Sequence, residues 1–156
     1  MKTSLLLLAS LLATLGTAQA DTLQKIKDSG SISLGVRESS GLSYTLGNGK
    51  FVGFHTEMAE RVIADLQKQL GLAKLEIKYQ PVTSQNRIPL VQNGTVDLEC
   101  GSTTNNATRQ KDVSFAVTTY VEEVRIAVKA NSGITGIAQL NGKSVATTTG
   151  TTSVQT

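Results

Sequence analysis

Tryptophan is absent, histidine and cysteine occur once each, proline twice, and aromatic residues make up only 4% of the 156 residues. The lone Cys100 excludes an intramolecular disulfide framework. Two readings of it stay open: a small buried hydrophobe, which is favoured, or a thiol whose partner lies on a segment outside this chain. With His55 as the one histidine, no set of residues stands at metal-ligand or nucleophile spacing. No G-x-S-x-G, C-x-x-C or phosphate-loop pattern is present either. Neither a metal nor an organic cofactor is therefore expected, and His55, at a helix start, reads as a surface residue. Charged residues are 17%, with 15 cations and 12 anions scattered along the chain. The lack of a basic stripe or of interleaved aromatics excludes a nucleic-acid footprint. Fourteen glycines with two prolines exclude a collagen-like chain, and 39% apolar residues without a long charge run predict a folded domain.

Long apolar runs are also missing, with one exception at the start. Met1-Lys2-Thr3 leads into apolar residues from Leu5 to Gly16, followed by Ala18-Gln19-Ala20. A basic start, a short apolar core and small residues at A-x-A positions define a secretory signal peptide, too short to span a bilayer. Cleavage after Ala20 would remove Lys2 and leave Asp21 to Thr156, with 14 cations, 12 anions and a net charge of +2. The mature chain is expected to be exported.

Strand and helix patterns alternate through the remainder. Thr22 to Ser29 reads as a short helix capped by Thr22 or Asp21 and stopped by Gly30. Ser31 to Arg37 alternates polar and apolar, the period of a strand. Leu46-Gly47-Asn48-Gly49-Lys50 carries hairpin-turn chemistry. Met58, Ala59, Val62, Ile63, Leu66 and Leu70 recur at helical spacing, predicting a helix from Thr56 to Leu70 that ends at Gly71. Leu75 to Gln80 alternates again and Pro81 closes it. A loop opening into a helix is expected over Thr83 to Asn93, because Pro89 is tolerated only near a helix start. Thr95 to Cys100 reads as a short strand, followed by the polar loop Gly101 to Asn106 and a helical turn around Arg109. Val121 and Val124 to Ala130 form an apolar-rich stretch. Ile134 to Leu140 is expected to make one or two helical turns and Lys143 to Thr147 a strand. Thr148 to Ser153 reads as a loop entering a helix that has only three residues left. A helix that short cannot stand alone, so the chain is expected to stop inside a second domain. This order predicts an α/β fold with a mostly parallel sheet, whose ligands bind outside the carboxyl ends of the strands.

Those ends are where the recognition chemistry lies. Arg37 stands with Ser39 and Ser40, Arg87 with Thr83 and Ser84, and Arg109 follows Ser102, Thr103 and Thr104. A guanidinium fork holds a carboxylate with two parallel bonds, and hydroxyls with backbone N–H groups take the remaining lone pairs. Taken singly, each arginine is an ordinary surface charge and each hydroxyl an N-cap. Their coincidence at three strand ends points to a small polyanionic guest. Glu122 and Glu123 are adjacent and would face opposite sides of a strand, which argues against a shared acid/base site.

The run from Pro81 to Leu90 closely resembles the periplasmic glutamate/aspartate-binding proteins of ABC transporters. So does the stretch Gln92 to Asn106, with Arg109-Gln110-Lys111. The resemblance extends from about Thr22 to Ser153. Gly53-Phe54-His55-Thr56-Glu57-Met58 is similar to the signature of the wider polar amino-acid-binding superfamily, departing at His55 where that signature prefers an acid. The resemblance implies a periplasmic-binding-protein-like lobe over residues 21–120 and, over 121–156, a crossover with the start of a second lobe. It implies a monomer that closes on one amino acid, glutamate or aspartate, and presents it to a membrane permease. By position, Arg109 resembles the clamp on the α-carboxylate, helped by Ser102, Thr104 and the Thr151-Thr152 helix start. Arg37, Ser84 and Arg87 resemble the group that holds the side-chain carboxylate. Family members run to roughly twice the mature length and use their second lobe for the ligand ammonium. A chain lacking two or three such charge-assisted bonds would lose about 3–9 kcal/mol of binding, so weak or absent binding is expected of this one. An exported enzyme on the same fold and a non-binding fragment are the alternatives.

Overall fold

Asp21 begins the folded part by accepting hydrogen bonds on its carboxylate from the backbone N–H groups of Leu23 and Gln24, at 3.0 and 3.4 Å. That caps helix α1 (Thr22–Ser29), which ends at Gly30 in the left-handed conformation, φ 62°. The computed structural model describes residues 21–38 and 40–154. The expected signal peptide, residues 1–20, and Ser39 lie outside the described residues.

Strand β1 (Ser31–Val36) is the centre of a three-stranded parallel sheet, in the order β4 (Glu76–Pro81), β1, β5 (Leu98–Glu99). β1 pairs with β4 from Ser31 opposite Glu76 through Val36 opposite Pro81, and with β5 at Leu34–Leu98 and Gly35–Glu99. Between β1 and β4 the chain makes a hairpin of β2 (Tyr44–Gly47) and β3 (Lys50–Val52), then helix α2 (Phe54–Gln69). Asn48 and Gly49 both have positive φ, 53° and 73°, as a primed two-residue turn requires. Helix α3 (Arg87–Gln92) carries the chain from β4 across β1 to β5. The chain therefore leaves β1 on one side and reaches β5 from the other, which makes the β1/β5 boundary a topological switch point.

The core is Ile26 of α1, Ile32, Leu34 and Val36 of β1, Ala59 and Ile63 of α2, and Leu75. Ala59 and Ile63 are four apart, on the stripe of α2 that faces the sheet. Gly53, before α2, has φ 118°, and a β-carbon there would stand 2.6 Å from the Leu42 carbonyl oxygen. Only glycine fits that approach. Beneath it the Ser43 and Thr56 hydroxyls, both buried, lie 2.9 Å apart. Ser43 Oγ also accepts from the Arg37 backbone N–H at 3.2 Å, which sets how the chain leaves β1.

Asp97 fixes the start of β5. Its carboxylate accepts from the Ser33 N–H at 2.9 Å and from Lys25 Nζ at 2.8 Å, while its own N–H donates to the Ser33 carbonyl at 2.9 Å. These bonds tie α1, β1 and β5 at the amino edge of the sheet.

Several expectations are corrected. His55 is buried, 4% exposed, with Nε2 3.0 Å from Thr119 Oγ1. Its ring sits under the chain that follows the site, so it joins two segments instead of facing water. The expected strand over Thr95 to Cys100 contracts to Leu98–Glu99, because the Val96 N–H turns back to Leu90 O. Lys143 to Thr147 forms no strand, and Val121 to Ala130 is in no ladder. Among the described residues neither segment has a strand beside it, and an unpaired strand cannot satisfy its backbone. Short 3-10 turns occur at Arg109–Lys111, Ile137–Leu140 and Thr152–Val154.

Leu34 is fully buried whereas Val121 is 86% exposed. Urea denaturation should show Leu34→Ala lowering stability by about 2–5 kcal/mol. Val121→Ala should change it by less than about 0.5 kcal/mol.

Candidate functional site

All three strands of the parallel sheet end on one edge, and each delivers an arginine near its carboxyl terminus. Arg37 directly follows β1, and its Nη1 donates to the Val82 carbonyl beyond β4 at 3.0 Å. Arg87 opens α3 after the turn Thr83–Asn86. That turn is locked reciprocally: the Thr83 N–H donates to Asn86 Oδ1 at 2.7 Å and the Asn86 N–H to Thr83 Oγ1 at 3.2 Å. It swings Arg87 inward, where it is only 2% exposed. Arg109 sits on the 3-10 turn after the Gly101–Asn106 loop, with its N–H held by Asn106 Oδ1 at 3.0 Å.

The electrostatics link these groups. Burial lowers the Arg87 pKa from its ordinary value, the Glu99 carboxylate opposes that fall, and the charges of Arg109 and Arg37 add to it. Arg87 Nε and Nη1 and Arg37 Nε are buried without a hydrogen-bond partner. A guanidinium cut off from water with unspent donors is poised to receive an anion.

Arg109 reaches across to the last described segment. Nη1 donates to Thr104 O and Nη2 to Gly150 O, each at 3.0 Å. One hydrogen on each terminal nitrogen remains, so the fork is oriented but not exhausted. Thr104 Oγ1 lies 3.4 Å from Thr152 Oγ1. Gly150 has φ 81°, and a β-carbon on it would stand 2.6 Å from Ser84 O. Arg109, Thr104, Thr152 and the Ser84 backbone thus meet. Thr151 donates its hydroxyl to Thr148 O at 2.7 Å, leaving its lone pairs as what it can offer. Ser102 is half-buried in the loop between them. The helix start expected at Thr151-Thr152 is a single 3-10 turn.

Sequence reasoning missed Glu99 and Asp97. Both are charges in the otherwise apolar run Val96 to Cys100, and that placement is the signal that could have flagged them. Cys100 is half-buried against the core, in line with the favoured reading. Two grooves of about 410 and 590 Å3 lie elsewhere, beside the hairpin and Tyr79. Tyr79 there donates to Glu60 Oε1 at 2.6 Å. Among the described residues no group of three His, Cys, Asp or Glu could hold a metal ion.

A parallel sheet whose switch-point edge carries three guanidiniums and hydroxyl-rich loops places its cationic and hydroxyl donors where open α/β sheets bind ligands. Residues 32–154 match the bacterial extracellular solute-binding proteins, family 3, and the chain belongs to that family. It is 48% identical over 134 residues to the L-glutamate/L-aspartate-binding protein of Pseudomonas aeruginosa, covering 85% of this chain and 44% of that protein. It is 44% identical over 147 residues to the glutamate/aspartate import solute-binding protein of Escherichia coli, covering 88% and 49%. Among solved structures, the solute receptor for L-cysteine of Neisseria gonorrhoeae superposes with a TM-score of 0.53 at 29% identity, over 61% of this chain and 37% of that one. The chain spans about half the length of the curated relatives it matches.

Burial, and then the charge of Glu99, pushes the Cys100 thiol up from 9.0 to about 11. Burial, the hydrogen bond to Glu60 and its charge push Tyr79 up from 10.0 to about 12. A raised folded pKa favours the neutral form, so this stabilisation is complete below pH 9 and is lost as pH rises through 11 and 12. Unfolding free energy measured against pH should fall across that window, and Cys100→Ala should flatten its lower part, between pH 9 and 11.

Proposed function

We propose that this chain is part of the binding component that captures glutamate or aspartate outside the cytoplasmic membrane and presents it to the permease of an ABC importer. The observation that carries this reading is the buried Arg87 guanidinium with two unpartnered nitrogens, flanked by Arg37 and Arg109 at the strand ends. Two separated cationic groups suit a guest with two carboxylates. In this reading Arg109 clamps the α-carboxylate, with Ser102, Thr104, Thr151 and Thr152 supplying hydroxyls and backbone donors. Arg37, Ser84 and Arg87 take the side-chain carboxylate. Residues 21–120 form the first lobe, and 121–156 the crossover and the beginning of a second. The protein works in the periplasm as a monomer, after loss of residues 1–20. The names of the relatives at 44–48% identity support the same ligand class. Binding without chemistry agrees with the absence from the sequence of a paired nucleophile and base.

Nitrogen-15 NMR titration of residues 21–156, read at the arginine Nε–H resonances, tests this. Glutamate and aspartate should shift Arg87 and Arg109 with a Kd on the order of millimolar. Arg109→Ala should remove the response to glutamate, aspartate and glutamine alike. Arg87→Ala should cost the two acidic ligands roughly 10- to 150-fold, the worth of one charge-assisted bond, and glutamine far less. Silence at every arginine, or equal losses for glutamine and glutamate, would sink the reading.

A further inference from the structure

Glu99 has no role in the binding assignment above, yet it ends β5 amid the arginines. Its carboxylate is held from several sides. Thr103 donates its hydroxyl to Oε2 at 2.7 Å. Oε1 lies against Gly101, where a β-carbon would stand 2.4 Å from it and 2.9 Å from Arg37 Cγ. Gly35 on β1 leaves a second slot: a β-carbon there would meet Glu99 Cγ at 3.2 Å. Glu99 Oε1 is buried without a hydrogen-bond partner. Among the described residues no ion pair joins Glu99 to an arginine. One carboxylate oxygen is thus buried and the other accepts from Thr103, and the charge of the group bears on Arg87.

Three guanidiniums without such a neighbour would attract any small anion, in order of its charge. We propose that Glu99 is a specificity-determining positioning residue, a fixed internal counter-charge that lowers the crevice's general attraction for anions so that hydrogen-bond geometry selects the guest. Gly35 and Gly101, lacking side chains, leave the room that the Glu99 side chain occupies beside Arg37. Thr103 sets its rotamer. The inference rests on the carboxylate-binding reading for its amino-acid ligands, but its charge logic applies equally to an inorganic anion.

The test compares wild type with Glu99→Gln, using sulfate, glutamate and glutamine as probes and the Arg87 Nε–H resonance as readout. Removing the counter-charge should tighten sulfate most, glutamate by roughly tenfold and glutamine least, following net charges of −2, −1 and 0. The gains for the two anions should shrink as ionic strength rises. Equal changes for all three probes, or uniform weakening, would show that Glu99 only props the loop and would overturn the proposal. Where neither amino acid binds either protein, the transport reading fails by itself, and sulfate still decides the matter: a tighter sulfate response in Glu99→Gln supports the counter-charge and an unchanged one refutes it. If Glu99→Gln does not fold, Glu99→Asp keeps the charge and should keep the wild-type ratio of sulfate to glutamate affinity; a changed ratio overturns the proposal.

Discussion

A guanidinium taken out of water must be compensated by the protein around it, and that constraint organises this molecule. Arg87 is almost wholly buried and feels two other arginines. Burying a cation among like charges is costly unless an opposing charge and fixed acceptors stand nearby. Parallel strands supply the place. Because β4, β1 and β5 run the same way, whatever follows each strand emerges on one edge. The clustering of Arg37, Arg87 and the loop before Arg109 is thus a result of topology before it is a result of side-chain choice.

The opposite edge makes this arrangement possible. β5 is only two residues long, and two ladder positions would hold its register weakly. Asp97 makes up the deficit with bonds to Ser33 and Lys25, so the strand is fastened at its amino end and free to present Glu99 at the other. Lys25 is half-exposed and Asp97 nearly closed to solvent, a pairing whose strength comes from the buried partner and from the backbone bonds beside it. The chain at β5 thus carries an acid for register just before the strand and, two residues on, an acid amid the cations.

Elements with a strong local signal were legible in the sequence. The Asp21 cap, the Gly30 stop, the Asn48-Gly49 turn, the apolar stripe of α2 and the alternation of β1 and β4 each have a short-range physical cause, and the structure has them within one or two residues. The convergence of Arg37, Arg87 and Arg109 was legible only through the inference that successive strands run parallel. What escaped depends on contacts far apart in the chain. His55 is buried, and its ring nitrogen meets Thr119, 64 residues later. Lys143 to Thr147 has the composition of a strand but no neighbour to pair with among the described residues, and composition cannot report a neighbour. Glu99 escaped because the room for its side chain depends on Gly101 and Gly35 having no side chains.

The approach of Gly150 to the Ser84–Gln85 peptide leaves an interval narrower than a methyl group. The roughly forty residues between Arg109 and that point are pinned at both ends and also where Thr119 meets His55. The pinned end works as a feeler gauge, transmitting any thickening at position 150 straight to the turn that follows β4.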